Sequence, residues 1–242
     1  MRRIAPFILL LLVVGAVNAQ KRKVVTLKQP APVKEKEVFQ VMDDNRQVKD
    51  GFYRRYKYRQ LIEEGFYKEG KKDSTWKYFT SLNEPVATGD YKNGERTGYW
   101  TFYSKSGRMV QRYDYNIDSL IFFDVEEEKK YGIAPNVFPD TAANQLPIFI
   151  GGYLYMQTLL SVNTRYPENA WQAKEQARVM ISFVVDTSGH VSDVVCEKPA
   201  GNGFDEEGMR VIQLLDGQWI PAVQEGRKIK AKFRLPITFK LL

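Results

Sequence analysis

The stretch IKAKFRLPITFKL, residues 229–241, decides the fold of the C-terminal part of this chain. Its odd positions are all apolar, whereas its even positions carry lysine, arginine, proline or threonine. This period of two predicts a strand over residues 228–241 with one buried face and one exposed face. Pro236 lacks an N–H group and belongs on an edge strand or at a bulge. Because a long edge strand can accept another peptide as an added strand, the stretch favours binding over catalysis.

The residues before this strand predict the rest of a small α+β unit. A helical pattern follows Gly151-Gly152, and a second begins at Pro167. Residues 178–198 predict two strands joined by a hairpin turn at Asp186-Thr187-Ser188-Gly189. Asp205 is expected to cap a further helix with an acidic first turn. The predicted fold of residues 147–242 is therefore an antiparallel sheet packed against helices.

The middle of the chain contains a repeat with an offset of 24 residues, from Gly65 to Gly89 and from Trp76 to Trp100. In each copy a Lys-x-Gly turn separates two aromatic segments, which is typical of a β-hairpin. A single hairpin cannot bury its own face, so stacked copies are predicted to share an aromatic core. We expect this all-β repeat domain to occupy residues 41–124, and its aromatic core to contain Tyr67, Trp76, Tyr91 and Trp100.

Several motifs near the C-terminus resemble the C-terminal domain of TonB energy transducers. They are PIFIGG at 147–152, YPENA at 166–170, VMISFVVDTSGHVSDV at 179–194, FDEE at 204–207, QWIP at 218–221 and FRLPITF at 233–239. The sequence departs from the family pattern at Ala177, Gly208 and Ala222. These departures affect the details of turns and the stability of a helix rather than the fold. The resemblance implies a non-enzymatic periplasmic protein, without a cofactor, that binds an extended segment of an outer-membrane transporter in support of transmembrane transport.

The strand edge is where this partner is expected to bind. The residues predicted to form the partner-binding edge are Lys230, Lys232, Phe233, Arg234, Leu235, Pro236, Ile237 and Phe239. The row of cations on the polar face has two interpretations. It is a solvated face that discourages edge aggregation, or it attracts an acidic peptide or anionic lipid head groups at a peripheral membrane contact.

The repeats of residues 41–124 resemble MORN-type repeats, in the variant found in bacterial YwqK-like proteins. This resemblance implies a stack of hairpins. It is specific for architecture and weak for function, because such repeats contact proteins and lipids alike.

The amino end predicts export. Residues 1–19 combine a basic start, an apolar run over 4–17 and the small-residue pattern Val17-Asn18-Ala19, which favours a cleaved signal peptide. The alternative is a retained anchor, but a helix over 4–17 would span only about 21 Å of a roughly 30 Å hydrocarbon layer. Residues 20–40 are predicted to be a Pro/Lys-rich linker, and residues 125–146 a second linker with one short helical turn.

Charge and reactive residues exclude several functions. The net charge of +7 lies mostly in the 20–40 segment, so nucleic acid is not the expected partner. His190 is predicted to be a surface turn residue, and Cys196 a small half-buried side chain. Because the chain has a single histidine and a single cysteine, neither an internal disulfide nor a zinc spacing is available, and no catalytic residue is predicted.

Three functions remain open on the sequence. The first is a periplasmic TonB-like protein that binds an outer-membrane transporter or another envelope protein. The second is a full energy transducer with residues 4–17 retained in the inner membrane. The third is an envelope adaptor or scaffold that binds protein or lipid through its repeats. The sequence favours no particular oligomeric state.

Overall fold

The computed structural model describes residues 22–29, 34–42, 48–131 and 145–241. The signal segment predicted over residues 1–19 lies outside this part of the chain. Among the helices of the described residues, none combines the length and the apolar character that a membrane span requires.

Nine strands within the described residues form one antiparallel sheet, in which every strand pairs with its neighbours in sequence. They are β1 (Arg22–Lys28), β2 (Glu35–Met42), β3 (Lys49–Lys57), β4 (Gln60–Lys68), β5 (Lys71–Phe79), β6 (Pro85–Lys92), β7 (Glu95–Tyr103), β8 (Met109–Asp114) and β9 (Ser119–Phe123). Gly70 and Gly94 occupy the turns of the two clear repeats with positive φ of 79° and 92°, where a glycine carries little strain. The predicted stack of β-hairpins is confirmed.

Where the structure describes residues 20–40, namely 22–29 and 34–40, they contain strands, in contrast to the linker that their proline and lysine content predicts. Strands β1 and β2 lie in this segment and pair in register from Arg22–Met42 to Lys28–Lys36. Phe39 and Val41 of β2 are buried beneath the aromatic face of the sheet. The alternation of Phe39 and Val41 with polar residues is typical of a strand. Pro30 and Pro32 fall between β1 and β2 in the sequence, so neither proline interrupts the pairing of these strands.

The C-terminal unit contains helices and short sheets. Its elements are α1 (Val125–Tyr131), β10 (Ile148–Phe149), α2 (Gly152–Asn163), α3 (Glu168–Gln172), β11 (Ala177–Val185), β12 (Val191–Lys198), α4 (Phe204–Ile212), a 3₁₀ turn (Gln213–Leu215), β13 (Trp219–Ile220), β14 (Ala222–Gln224), β15 (Arg227–Ile229) and β16 (Ala231–Phe239). The main sheet has the order β12-β11-β16 and is antiparallel. The predicted combination of antiparallel sheet and helices is confirmed.

The last strand is shorter than the sequence predicts. Residues 228–241 do not form one strand, because β15 pairs with β14 in a separate hairpin and β16 begins only at Ala231. The turn of that hairpin is Glu225-Gly226, with φ of 48° and 75°. Two successive residues with positive φ form the tight turn that reverses an antiparallel pair. Lys230 therefore lies between two strands rather than within one.

The segment 125–146 is more ordered than a linker where the structure describes it. Asp124 starts helix α1, since its carboxylate accepts the N–H of Glu127 at 2.9 Å. At the other end, Gln145 forms a bridge with Val223 beside β14. Residues 132–144 lie outside the described residues.

One apolar core joins the two units. Trp100 and Phe102 from the repeat sheet belong to the same buried cluster as Tyr155 of α2 and Phe233 of β16. The ring centroids of Phe102 and Tyr155 lie 5.2 Å apart. The secondary structure therefore follows the two units that the sequence predicts, but both units pack into one apolar core around α2.

Candidate functional site

Strand β16 forms one edge of the main C-terminal sheet. It pairs with β11 from Ala177–Phe239 to Val185–Ala231 without a register shift, and no strand of the described residues pairs with its other side. The odd residues of the predicted edge face the core and are buried, namely Phe233, Leu235, Ile237 and Phe239. The even residues Lys232, Arg234 and Pro236 are half-buried, and Lys230 is exposed before the strand begins.

The direction of the peptide groups follows from the neighbouring hairpin. The N–H of Asp186, the residue that follows β11, donates to the carbonyl of His190 at 2.9 Å, on the β12 side. Because successive residues of a strand direct their peptide groups to opposite sides, Val184 directs its N–H and C=O toward β12 and Val185 directs them toward β16. Because odd residues of β11 pair with odd residues of β16, the even residues of β16 direct their peptide groups to the open side. Lys232 and Thr238 therefore present an N–H and a C=O there. Pro236 presents a carbonyl alone, and its missing N–H costs the β11 ladder nothing.

A groove of about 590 Å³ lies beside the C-terminal half of this edge. Pro236, Ile237 and Thr238 form one side, and helix α2 contributes the half-buried Leu154 and Leu160. The loop of residues 80–84, which joins β5 to β6 in the repeat sheet, forms the opposite side. No described residue of β11 lines the groove, so the groove lies on the open side of β16.

The polar face of β16 carries less free charge than the sequence suggests. Glu197 of β12 accepts a hydrogen bond from Arg234 at 2.9 Å and lies 3.8 Å from the ammonium group of Lys232. The Arg234 hydrogen bond lowers the pKa of Glu197 below its ordinary value. Lys228 belongs to β15, in a different sheet. The cations expected to form one row are Lys228, Lys230, Lys232 and Arg234. Lys228 thus lies in another sheet and Lys230 in no strand, and the two that remain on β16 both lie beside Glu197.

The predicted aromatic residues of the repeats lie together on one face of the sheet. Trp76 and Trp100 are fully buried. The ring centroids of Tyr67 and Trp76 lie 5.2 Å apart, as do those of Tyr91 and Trp100, both with edge-to-face geometry. Each indole also packs flat on a glycine of the preceding strand, Gly65 or Gly89, where a Cβ would lie 2.3 Å from the ring.

Sequence reasoning missed a row of cations on the same face. Lys49 lies 4.4 Å from the ring centroid of Tyr53, Lys72 lies 3.8 Å from that of Trp76, and the guanidinium of Arg96 lies 4.5 Å from that of Trp100. Each cation stands four residues before its aromatic partner, which places both side chains on one face of a strand. The 24-residue offset from Lys72 to Arg96 was the available signal.

Cations of the repeat sheet also hold helix α2. Arg96 donates to the hydroxyl of Tyr155 at 2.7 Å. Lys57 donates to the carbonyls of Val162 at 3.0 Å and Thr164 at 2.6 Å, at the C-terminal end of the helix, where a positive charge is favoured. Burial lowers the pKa of Lys57 to about 8, so the ammonium form prevails at neutral pH. No local sequence pattern indicates these contacts, because they depend on how the two units pack.

Of the residues considered for catalysis, Cys196 and Asp205 are in contact, with the thiol donating to Oδ1 of Asp205 at 3.6 Å. His190 is exposed, with Nδ1 3.0 Å from the carboxylate of Asp216. Cys196 is half-buried, and burial raises the pKa of its thiol. Asp205 does not cap α4, whose N-cap is Gly203, but accepts the N–H of Ala200 at 2.7 Å. Within the described ranges, no group of three or more histidine, cysteine or acidic residues is placed to hold a metal ion.

Comparison with known proteins finds a family match for most of the C-terminal unit. The family model described as "Gram-negative bacterial TonB protein C-terminal" matches residues 162–241, from the end of α2 to just beyond β16. Residues 162–241 match the TonB C-terminal family. The resemblance that the sequence motifs indicate is thereby confirmed, and the site edge lies inside the matched region. The repeat sheet lies outside it.

The solution structure of the Helicobacter pylori TonB C-terminal domain, residues 179–285, is similar to the chain at 20% identity. That likeness covers 37% of this chain and 79% of that chain, with a TM-score of 0.30. No curated protein matches the chain. The hairpin stack agrees with the architecture expected of the repeats, whose likeness to MORN-type repeats remains a resemblance.

Proposed function

We propose that this protein is a non-enzymatic component of the Gram-negative envelope that supports transport by binding an extended segment of an outer-membrane transporter. The segment adds to the open side of β16 as a fourth strand of the sheet. The observation that carries the proposal is the edge position of β16 beside a groove. The match to the TonB C-terminal family supports a transport-related role.

The main chain supplies the attraction. The N–H groups of Lys232 and Thr238 and the carbonyls of Lys232, Pro236 and Thr238 would pair with the added strand, each bond contributing about 0.5–1.5 kcal/mol net. Alternate side chains of that strand would point toward α2 and cover Leu154 and Leu160, which are half-buried in the unbound protein. The edge therefore offers both hydrogen bonds and apolar surface.

The opposite edge of the sheet is less suited to strand addition. Strand β12 pairs with β11 through two register shifts, and Asp193 in its middle has a positive φ of 50°. Bulges twist an edge and interrupt its row of peptide groups, which is how native sheets discourage edge pairing. The uninterrupted register of β16 makes it the preferred partner.

The predicted signal peptide over residues 1–19 would deliver the protein to the periplasm. If residues 4–17 were instead retained, the protein would be an anchored energy transducer with partners in the inner membrane. Mass spectrometry of the native N-terminus distinguishes the two, since cleavage gives a chain that begins at Gln20.

A second function, contact through the repeats, is favoured by one observation. A cavity of about 480 Å³ remains between the aromatic face and α2, and Lys49, Tyr67 and Lys72 are among its lining residues. An envelope adaptor could receive a polar group of a protein or lipid there. Substitution of Lys49 and Lys72 by methionine would weaken that contact and leave the β16 edge unchanged.

The main proposal is tested by NMR titration of the mature protein with synthetic peptides from the N-terminal segments of outer-membrane transporters. The decisive pair of variants is Thr238→Pro and Thr238→Val. The side chain of Thr238 is exposed, and its N–H faces the open side, so proline removes an edge donor without breaking the β11 ladder. We expect Thr238→Pro to lose peptide binding and Thr238→Val to retain it. Equal binding by both variants would show that the peptide does not add to this edge.

A further inference from the structure

Two loops of the repeat sheet have the same backbone conformation and different side chains. The loop of residues 80–84 is closed by hydrogen bonds from the N–H of Thr80 to the carbonyl of Glu84, 2.8 Å, and from that of Asn83 to Thr80, 2.9 Å. The loop of residues 104–108, one repeat later, has the matching bonds at 2.8 and 2.9 Å. The loop geometry therefore does not dictate which residue stands at its centre.

The central residue of the first loop is an exposed leucine. Leu82 is 63% exposed, whereas the equivalent Ser106 bonds to Ser104 at 2.8 Å and to Glu127 at 3.2 Å. The hydroxyl of Thr80 accepts the N–H groups of Leu82 and Glu84 at 3.1 and 3.2 Å, which fixes the loop. A large apolar side chain held in water on a rigid loop is a feature of interaction sites when it adjoins other apolar surface.

Leu82 adjoins such a surface, because it lines the groove that β16 and α2 also line. Leu154 and Leu160 of α2 are the other leucines of that groove. The two charged residues that line it, Glu84 and Lys105, have opposite signs, so net charge does not select the occupant.

We propose that the 80–84 loop is the second wall of the strand-addition groove, and that Leu82, Leu154 and Leu160 select peptides with a large apolar side chain. This inference rests on the proposed binding of an extended peptide to β16. It places part of the selectivity in the repeat sheet, outside the residues that match the TonB family. The repeats thereby act on the same partner as the C-terminal unit.

The test uses the mature protein and a nine-residue threonine–serine host peptide with one central guest residue, either alanine or leucine. Affinities are taken from NMR shifts of β16 amides. The wild type should bind the leucine guest about ten-fold more tightly than the alanine guest, as expected for one apolar side chain entering a pocket. Leu82→Ser, which installs the residue of the equivalent loop, should reduce this ratio to about three-fold, because Leu154 and Leu160 still line the groove, and should leave the alanine-guest affinity unchanged.

Ile117→Ser is the matched control. Ile117 is 66% exposed on the turn between β8 and β9 and does not line the groove, so this variant should keep the ten-fold preference. An unchanged preference in Leu82→Ser would overturn the role of the loop and leave strand addition standing. If neither guest shifts the β16 amides of the wild type, the proposed function itself fails and this inference fails with it.

Discussion

Replacing Gly89 by alanine should destabilise the protein strongly, because Trp100 occupies the space that a methyl group needs. An added Cβ would lie 2.3 Å from Cδ2, 2.4 Å from Cγ and 2.5 Å from Cε2 of the indole. Carbon atoms in contact prefer about 3.5–4.0 Å, so the ring must move by about 1 Å. Trp100 is fully buried, and its Nε1 donates to the carbonyl of Asp90 at 3.1 Å.

The magnitude follows from these two terms. Overpacking a buried site costs about 1–3 kcal/mol, and a strained or broken indole hydrogen bond adds about 1 kcal/mol or more. We expect a loss of about 3 kcal/mol in the free energy of unfolding, which for a chain of this size lowers the Tm by roughly 10 °C. Urea denaturation followed by tryptophan fluorescence measures the loss directly.

Two further variants make the reasoning refutable. Gly107→Ala has open space around the added Cβ and a φ of 78°, so it should cost only the left-handed strain of about 1–2 kcal/mol. Trp100→Leu provides room for the methyl group, so the double variant Gly89→Ala/Trp100→Leu should be more stable than additivity predicts by about 2 kcal/mol. The glycine–indole packing would be refuted by two results together. Gly89→Ala would cost no more stability than Gly107→Ala, and the effects of Gly89→Ala and Trp100→Leu would add in the double variant.

Two other predictions concern the junction of the units. Trp100 belongs to the core shared with the C-terminal unit and Trp76 to a separate cluster with Phe39. Each change to alanine should cost about 3–5 kcal/mol, but hydrogen exchange should show global loosening for Trp100→Ala and loosening of the N-terminal strands for Trp76→Ala. Burial lowers the pKa of Lys57 to about 8 in the folded protein, against 10.5 for an unburied lysine. Between these two pH values the unfolded chain binds more protons than the folded protein, so the stability that this group contributes rises with pH. Urea denaturation at pH 7.5 and 10.5 should show a rise roughly 3 kcal/mol larger in the wild type than in Lys57→Met.

Local patterns in the sequence account for much of the fold. The period of two at Phe233, Leu235 and Ile237 identified the buried face of β16, because alternation depends only on which face meets the core. The 24-residue repeat and its Lys-x-Gly turns identified the hairpin stack, because a tight turn between two aromatic segments is typical of a hairpin. Pro236 indicated an edge, and β16 is an edge strand.

Features that depend on packing between distant segments could not be predicted. The hydrogen bonds from Lys57 to the end of α2 join residues more than a hundred positions apart, and no local pattern specifies them. The groove wall at Leu82 likewise depends on where the repeat sheet meets α2. The split of the last strand at Lys230 had no such local signal, because the apolar–polar alternation continues through it from Ile229 to Leu241.

Amide hydrogen exchange on β16 tests the central claim most directly. The claim is that an extended peptide pairs with the open side of this strand, where Lys232 and Thr238 direct their N–H groups. With a saturating transporter peptide, these two amides should gain protection, whereas those of Phe233 and Ile237, already bonded to β11, should change little. Protection that appears instead on β12, or unchanged exchange at Lys232 and Thr238 despite peptide binding, would contradict the account.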